Sequence, residues 1–519
     1  MGIFFNPGNG SFTKDRNYEI YVDKTELLKY LNRAIGTPGN CIAVSHARRF
    51  GKSHAAGMID AYYSLGSDSA KLFKGTKIAS DPDYEKYRNK YNVIHLDISS
   101  FWDFHKKDIV EKIIEDIFKE LKMDYPEEFN ERDRISYVLI KIYEKTGIPF
   151  VIIIDEWDCV VRNSTDQDLI HQYLQFLHSL FKSEESKSFL ALGYITGIMP
   201  IKKIKDESAL NNFEEYTMLK SRPITKYYGF TEEEVKDLCK RYDMDFETTK
   251  EWYNGYLIDG MHMYNPNSVS QAMKYHDFDS YWRNTSAFGT INNFIMMNYS
   301  GLKEDVLTML SGGKVMVDTE CFQNDLAEIQ SKDDALTALI HLGYLGYDAD
   351  ILSAYIPNYE VAKAFQSALK TGEWKDVAAS ISKCDTLLMA TISGNTEKVA
   401  ELIELAHDTY TSILKYNDEN SLSCVLTMAY FTAPAYYTII REMPAGKGFA
   451  DFVFLPRANA GNRPAMIVEL KYNQSADTVI RQIKEKRYQG ALSGYESKIL
   501  LVGISYDSEK HHTCSIEEW

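Results

Sequence analysis

Positive charge is scarce in this sequence. Over 519 residues, 58 Lys and Arg stand against 74 Asp and Glu, a net charge of −16. Such a surface excludes histone-like coating of nucleic acid, so any such contact must run through a local basic groove or metal ions. The seven cysteines (Cys41, Cys159, Cys239, Cys321, Cys384, Cys424, Cys514) contain no C-x-x-C pair. An odd, scattered set in a long chain supports neither a disulfide framework nor a zinc ribbon. No apolar run nears the roughly 18 residues of a membrane span. The strongest, Phe150 to Ile154, stops at Asp155. The N-terminus lacks a basic segment followed by an apolar one, and Asn6 stands where a myristoylation signal needs Ser or Thr. The expectation is a cytoplasmic protein with no membrane partner. Pro and Gly gather into no low-complexity linker and no repeat is visible, so domain boundaries must be read from changes of rhythm.

What is present is ordinary globular composition, 45% hydrophobic and 25% charged, at a length that suggests about three domains. The first third alternates apolar strands (Cys41–Val44, Asn92–Asp97, Phe150–Ile154, Phe189–Ile195) with helical stretches. Runs of that kind imply a parallel α/β sheet covered on both faces. Near residue 225 the pattern turns helical, beginning at Thr231-Glu-Glu-Glu, whose acids suit a first helical turn. Past residue 380 the order becomes helix (421–432), a run Tyr436–Arg441, a Gly446-Lys447-Gly448 turn, strands Ala450–Leu455 and Ala465–Leu470, helix Ala476–Tyr488 and strand Lys498–Ile504. That is α-β-β-β-α-β. The expected domains are 1–225, 226–380 and 381–519.

Two groups of residues carry chemistry. In the first, a strand and turn lead to Gly51-Lys52-Ser53 at the head of a helix. Backbone N–H groups there attract phosphate, the lysine faces the β and γ phosphates, and the serine hydroxyl can ligate Mg²⁺. Arg49, Gly51, Lys52, Ser53 and His54 are the candidate nucleotide contacts. The first glycine of G-x-x-x-x-G-K-S is missing, because His46 occupies its position. The strand Ile152-Ile-Ile154 then ends in Asp155-Glu156. Asp155 can hold the Mg²⁺ shell and Glu156 can orient or deprotonate the attacking water. Strand Val93–Asp97 falls between these motifs in sequence, as in NTPases with a catalytic glutamate. Thr196 ends the next strand, placed to sense the γ-phosphate. The plainer alternatives are capping acids and a strand-end threonine.

In the second group, Asp451 begins one strand and Glu469-Leu470-Lys471 ends the following one. Residues two apart in a strand share a face, so Glu469 and Lys471 point together and Leu470 faces the core. Asp451 can meet them from the neighbouring strand. Two carboxylates bind Mg²⁺, and a lysine beside them can lower the pKa of a metal-bound water or stabilise developing charge on phosphorus. The plainer alternative is an ion pair at a sheet edge. The following helix carries Gln482, and from Lys471 to Gly490 five basic residues face two acidic ones, a local basic face suited to a phosphate backbone. Glu419 and Glu442 are further candidate ligands.

Taken together, the chain resembles a bacterial family that joins an AAA-ATPase-like domain to a C-terminal PD-(D/E)XK nuclease domain. The resemblance runs through Tyr21-Val-Asp-Lys-Thr25, Arg48-Arg-Phe-Gly-Lys-Ser53, Ile154-Asp-Glu-Trp-Asp158, Tyr194-Ile-Thr-Gly-Ile198, Gly229-Phe-Thr-Glu-Glu-Glu-Val235, Trp252-Tyr-Asn-Gly-Tyr256, Tyr264-Asn-Pro266, Gly446-Lys-Gly-Phe-Ala-Asp451, Glu469-Leu-Lys471 and Leu501-Val-Gly-Ile504. The family's loop has Arg-Pro where His46-Ala47 stand here. The resemblance implies a P-loop NTPase of the ASCE/AAA type, a helical lid with a winged-helix-like middle region, and a restriction-endonuclease-like end. It implies Lys52, Ser53, Asp155 and Glu156 for ATP and Mg²⁺. It implies Asp451, Glu469 and Lys471 for nucleic-acid cleavage, with Gln482 in support, but does not settle the substrate; the expectation is DNA, in defence or mobile-element biology. Related ATPases complete their sites between subunits, which makes a homo-oligomer an expectation. The alternative is a nucleotide-controlled switch or scaffold that binds without cutting. A helicase motor lacks a second core. Arg222 is a weaker candidate for the γ-phosphate, the aromatic cluster at Trp252 reads as packing, and His511-His512 near Cys514 reads as a solvated tail.

Overall fold

In the computed structural model the chain divides into two compact units, Met1–Tyr281 with Met316–Pro357, and Trp282–Val315 with Asn358–Trp519. The structure describes all residues except 1, 128–132, 202–209, 282–290, 295–296, 298, 321, 323–328, 372–378, 380–382, 415–424, 446–447, 458–459, 487–497 and 508–510. Residues 226–380, one segment by sequence rhythm, contribute to both units.

The first unit is built on β1 (Cys41–Ser45), β2 (Asn92–Asp97), β3 (Phe150–Asp155), β4 (Leu190–Gly197) and β5 (Glu214–Thr217). Their order is β2-β3-β4-β1-β5, and every ladder is parallel. This is a P-loop NTPase sheet. Helices cover both faces, which is why the inner strands β1, β3 and β4 are buried along their whole length and largely apolar. Ile152 and Ile154 enter one core while Val151 and Ile153 enter the other. Strand β2, between the two motifs in sequence, lies at the sheet edge. The strand between them in space is β4, which carries Thr196. Strand β5 escaped the sequence reading because Glu214-Glu215-Tyr216-Thr217 is polar and lies at the other edge, where no apolar run is needed.

The helical middle region begins with Glu232–Tyr242, where Thr231 and Glu234 form a reciprocal capping box. Helices Phe246–Tyr253 and Pro266–Tyr275 flank a hairpin of Tyr256–Ile258 and Met261–Tyr264. Trp252 and Tyr253 are buried and stack on Phe278. That cluster is packing, as expected.

The second unit carries β6 (Tyr437–Ala445), β7 (Gly448–Pro456), β8 (Ala465–Tyr472), β9 (Ile499–Tyr506) and β10 (His512–Glu518), paired in chain order. Only β8 and β9 run parallel, joined by the helix Ala476–Glu485. The α-β-β-β-α-β order holds, with Val425–Ala429 helical; the earlier part of the expected helix 421–432, and Gly446-Lys447, lie outside the described residues. The expectation of a solvated tail is overturned. His512–Glu518 pairs antiparallel with β9, and His512 is buried, its Nε2 2.9 Å from His407 Nδ1. An edge strand half open to water keeps polar residues, so no apolar alternation announced it.

Gly503 lets the helix Ala476–Glu485 lie on β9, since a Cβ there would sit 2.7 Å from the Ala476 carbonyl oxygen and 3.1 Å from Val479. Gly503→Val is expected to destabilise this unit by about 1–3 kcal/mol, the usual cost of overpacking. A lowered urea midpoint, followed by the near-UV signal of its buried tyrosines, would show it; an unchanged midpoint would refute the packing argument.

Candidate functional site

The phosphate loop leaves β1 at Ser45 and turns into the helix Lys52–Tyr63 at Gly51, whose φ of +90° favours glycine. Lys52 is buried, and its Nζ donates to the carbonyls of His46 (2.8 Å) and Ala47 (2.9 Å). Burial lowers its pKa, opposed by Asp155, Glu156 and Asp158. Those acids are therefore its electrostatic neighbours. Ser53 and His54 are exposed on the first helical turn, and His54 Nδ1 lies 2.7 Å from Asp15. Arg49 donates to the Tyr281 carbonyl at 3.4 Å.

Strand pairing brings the second motif alongside. Val44 is level with Thr196 on β4, and Ile154 on β3 with Ile195. Asp155 is buried, and its Oδ1 accepts the Thr196 hydroxyl and, at 3.1 Å, the Glu156 N–H. The lysine, the aspartate and the threonine thus gather at the carboxyl ends of parallel strands, where open α/β sheets bind ligands. Glu156 adopts a φ of +53°. Burial raises its pKa, and Arg162 opposes that shift.

The structure explains how a histidine can replace the loop's first glycine. The His46 ring packs between Tyr228 and Phe50 of the loop, with Nε2 2.6 Å from Ser221 Oγ. Ser221 gives its own hydrogen to the Thr217 carbonyl, so His46 Nε2–H is the donor. Burial pushes the pKa of His46 down to about 3, with Lys52 adding to the shift. Beside the loop a cavity of about 490 Å³ is walled by Phe12, Tyr18, Tyr21, Phe50, Met58, Tyr227 and Phe230, with Arg49, Gly51 and His54 at one end. Its volume and aromatic walls suit a nucleoside. Tyr21, Phe50 and Phe230 sit in motifs quoted for the family resemblance, but no sequence pattern joined them with Phe12, Tyr18 and Tyr227, because they come from three separate segments. Arg222 does not line it; its guanidinium is exposed and donates to the Asp259 carbonyl. A part-buried pair, Asp60 Oδ2 and His95 Nδ1 at 2.6 Å, was also missed. Burial acts to lower the His95 pKa, but Asp60 outweighs it and raises it. The two are far apart in sequence.

In the second unit Asp451 and Glu469 interlock. The Asp451 N–H donates to Glu469 Oε2 at 3.2 Å, and Asp451 Oδ2 accepts the Leu470 N–H at 2.8 Å. Lys471 Nζ lies 3.4 Å from Glu469 Oε1. Glu469 is 1% exposed. Burial and then Asp451 raise its pKa, with Lys471 opposing. Two repelling carboxylates, one buried, fit a hard divalent cation, which would draw its remaining ligands from water. Among the described residues no cluster of three or more His, Cys, Asp or Glu could hold a metal. Glu442 is level with Asp451 in the β6–β7 register, is exposed and has a φ of +48°. Gln482 is half-buried on the neighbouring helix, with no hydrogen bond to either carboxylate. Glu419 lies outside the described residues. The basic face is reduced, because Lys484 pairs with Glu517 of β10. Arg487 is outside the described residues.

Residues 9–205 match the family model described as a predicted AAA-ATPase, and residues 417–519 match the PD-(D/E)XK nuclease superfamily. An uncharacterized protein in the vnfD 5′ region of Azotobacter chroococcum mcd 1 is 24% identical over 287 residues, 54% of this chain and 53% of that protein. The chain thus spans about half the length of this relative. Among solved structures, the Aeropyrum pernix ORC2 protein aligns with 71% of this chain and 100% of its own at 11% identity and a TM-score of 0.27. Cdc6p of Pyrobaculum aerophilum aligns with 67% of this chain and 93% of its own, at 10% identity and a TM-score of 0.25.

His46→Ala is expected to lower the thermal midpoint of the first unit at pH 7, since losing a buried hydrogen bond costs about 1–3 kcal/mol. The unfolded histidine protonates near 6.5 and the folded one only near 3, so the unfolded state takes up the proton first as pH falls. The contribution of His46 is full above about 6.5 and declines toward 3. The gap between wild type and variant should narrow from pH 7 to pH 5; a gap that widens would contradict this account.

Proposed function

Because the chain joins a predicted AAA-ATPase segment to a PD-(D/E)XK nuclease superfamily segment, we propose that ATP binding and hydrolysis in the first unit control Mg²⁺-dependent phosphodiester cleavage of nucleic acid, with DNA favoured, in the second. The observation that carries this reading is one chain holding both Lys52 beside the Asp155–Thr196 pair and Asp451 interlocked with Glu469 and Lys471. Defence or mobile-element biology and a cytoplasmic location fit the same reading. So does assembly with further copies of the chain, and no described helix is long and apolar enough to cross a membrane.

In the first unit the aromatic cavity takes the nucleoside and the loop's N–H groups take the phosphates. Lys52 must exchange its loop carbonyls for phosphate oxygens, which makes it a cation already aimed into the loop. Ser53 and Asp155 hold Mg²⁺, Thr196 reports on the γ-phosphate through Asp155, and Glu156 orients the attacking water. Arg49 and His54 border the entrance. In the second unit Asp451 and Glu469 are the metal ligands, with Glu442 and Glu419 as outer candidates. Lys471 stabilises the charge that develops on the phosphate. Gln482 supports the site from its helix. A bound divalent ion supplies Lewis acidity and a nucleophilic water at neutral pH. DNA reaches the site through local contacts, since the chain as a whole repels it.

A second reading, a nucleotide-controlled switch that binds nucleic acid without cutting, draws on the ion-paired Lys484 and on Lys52 being satisfied by its own loop.

Purified protein is to be incubated with duplex and single-stranded DNA and with RNA, with Mg²⁺ or Mn²⁺, with and without ATP. Cleavage is expected with metal and should disappear in Asp451→Ala. Cleavage no greater than in that variant would sink the nuclease half of the proposal. Lys52→Ala should weaken ATP binding at least about tenfold, the loss of about 1.4 kcal/mol of phosphate contact. An unweakened variant would remove the ATPase half.

A further inference from the structure

The turn after β3 contains an arginine that none of the proposed roles uses. Arg162 lies on the short helix Cys159–Asn163, and its side chain is 9% exposed. Its Nη2 donates to Glu156 Oε2 at 3.2 Å and its Nε to Asp158 Oδ2 at 2.8 Å. Asp158 is fully buried, and the same Oδ2 accepts the N–H groups of Ile198 (3.2 Å) and Met199 (3.0 Å). Those residues follow Thr196-Gly197 at the end of β4. The contact is close enough that a Cβ on Gly197 would lie 2.6 Å from Trp157 Nε1 and 2.8 Å from Asp158 Oδ1. The Trp157 N–H completes the junction by donating to the Thr196 carbonyl at 2.9 Å.

One planar guanidinium therefore ties Glu156 to an aspartate that is itself bolted to the strand carrying Thr196. A carboxylate that must orient water needs a fixed direction, and this one stands on a backbone with positive φ and is about one-third exposed. Without a partner it would be free to swing. Arginine suits the task because its rigid fork addresses two carboxylates in one fixed planar geometry, which a lysine's single nitrogen does not impose.

We infer that Arg162 is a positioning residue for Glu156, holding the carboxylate in register with the Thr196 end of β4 through Asp158. The inference rests on Glu156 acting on the attacking water. Arg162 does not reach the phosphates in this role; it acts through Glu156 alone.

The test is steady-state ATP hydrolysis by the full chain with Mg²⁺, beside binding of a fluorescent ATP analogue. Arg162→Gln is expected to lower kcat at least about tenfold while analogue affinity stays within about twofold. Arg162→Lys, which keeps the charge but loses the fork, should recover only part of that rate. In a Glu156→Gln background the Arg162→Gln change should cost less than about twofold more, because its target is already disabled. A kcat unchanged in both arginine variants would overturn the inference. So would an equal loss with and without Glu156, or a fall in analogue affinity matching the fall in rate. If Arg162→Gln does not fold, Arg162→Lys decides, and wild-type kcat in that variant is the overturning result. Absence of ATP hydrolysis by the wild type would instead remove the ATPase reading on which the inference stands.

Discussion

The pairing of β1 and β3 on either side of β4 is the constraint on which the first unit depends. Parallel ladders hold the carboxyl ends of all three strands at one level. That level is where the loop turns toward Lys52, where β3 ends in Asp155 and where β4 carries Thr196. The Thr196–Asp155 hydrogen bond closes the gap between strands. Crossover helices then bury both faces of the sheet, which leaves the polar groups of the strand ends and turns open to a ligand. The Asp158 junction to Ile198 and Met199 extends the same alignment one turn further.

In the second unit the corresponding constraint is electrostatic. Glu469 is buried beside Asp451, and each carboxylate accepts a backbone N–H near the other. Burial and mutual repulsion raise the pKa of Glu469, and Lys471 answers only part of that. A site in which negative charge is concentrated and only partly compensated is preorganised for a cation. Charge at this site is set locally, with Lys471 Nζ 3.4 Å from Glu469 Oε1, while the net −16 acts over the whole surface.

Much of this was legible in the chain itself, for identifiable reasons. Apolar runs announced β1, β3 and β4, because strands buried on both faces leave little room for polar residues, and Val93-Ile94 and Leu96 marked β2 despite its polar positions. The Glu469-Leu470-Lys471 spacing announced a shared face, because strand periodicity is fixed at two. Edge strands β5 and β10 were hidden, since half-solvated strands keep polar side chains, and the histidine pair at His407 and His512 was hidden with them. The role of His46 was equally hidden. Its position in the loop was evident, but its partner Ser221 is 175 residues away. The basic face after Lys471 was overstated because Glu517, which pairs with Lys484, belongs to a strand the pattern did not disclose.

The kinds of element, the order of the two chemical motifs and the identity of their charged residues follow from local periodicity and side-chain chemistry, and are written in the chain. Folding sets which strand separates the two motifs in space, that Arg162 links Glu156 to the end of β4, that aromatic residues from three segments wall one cavity, and that the last strand is an edge rather than a tail. Each of those depends on contacts between residues far apart in the chain. Such contacts are selected by the packing of whole elements, and no local pattern encodes them.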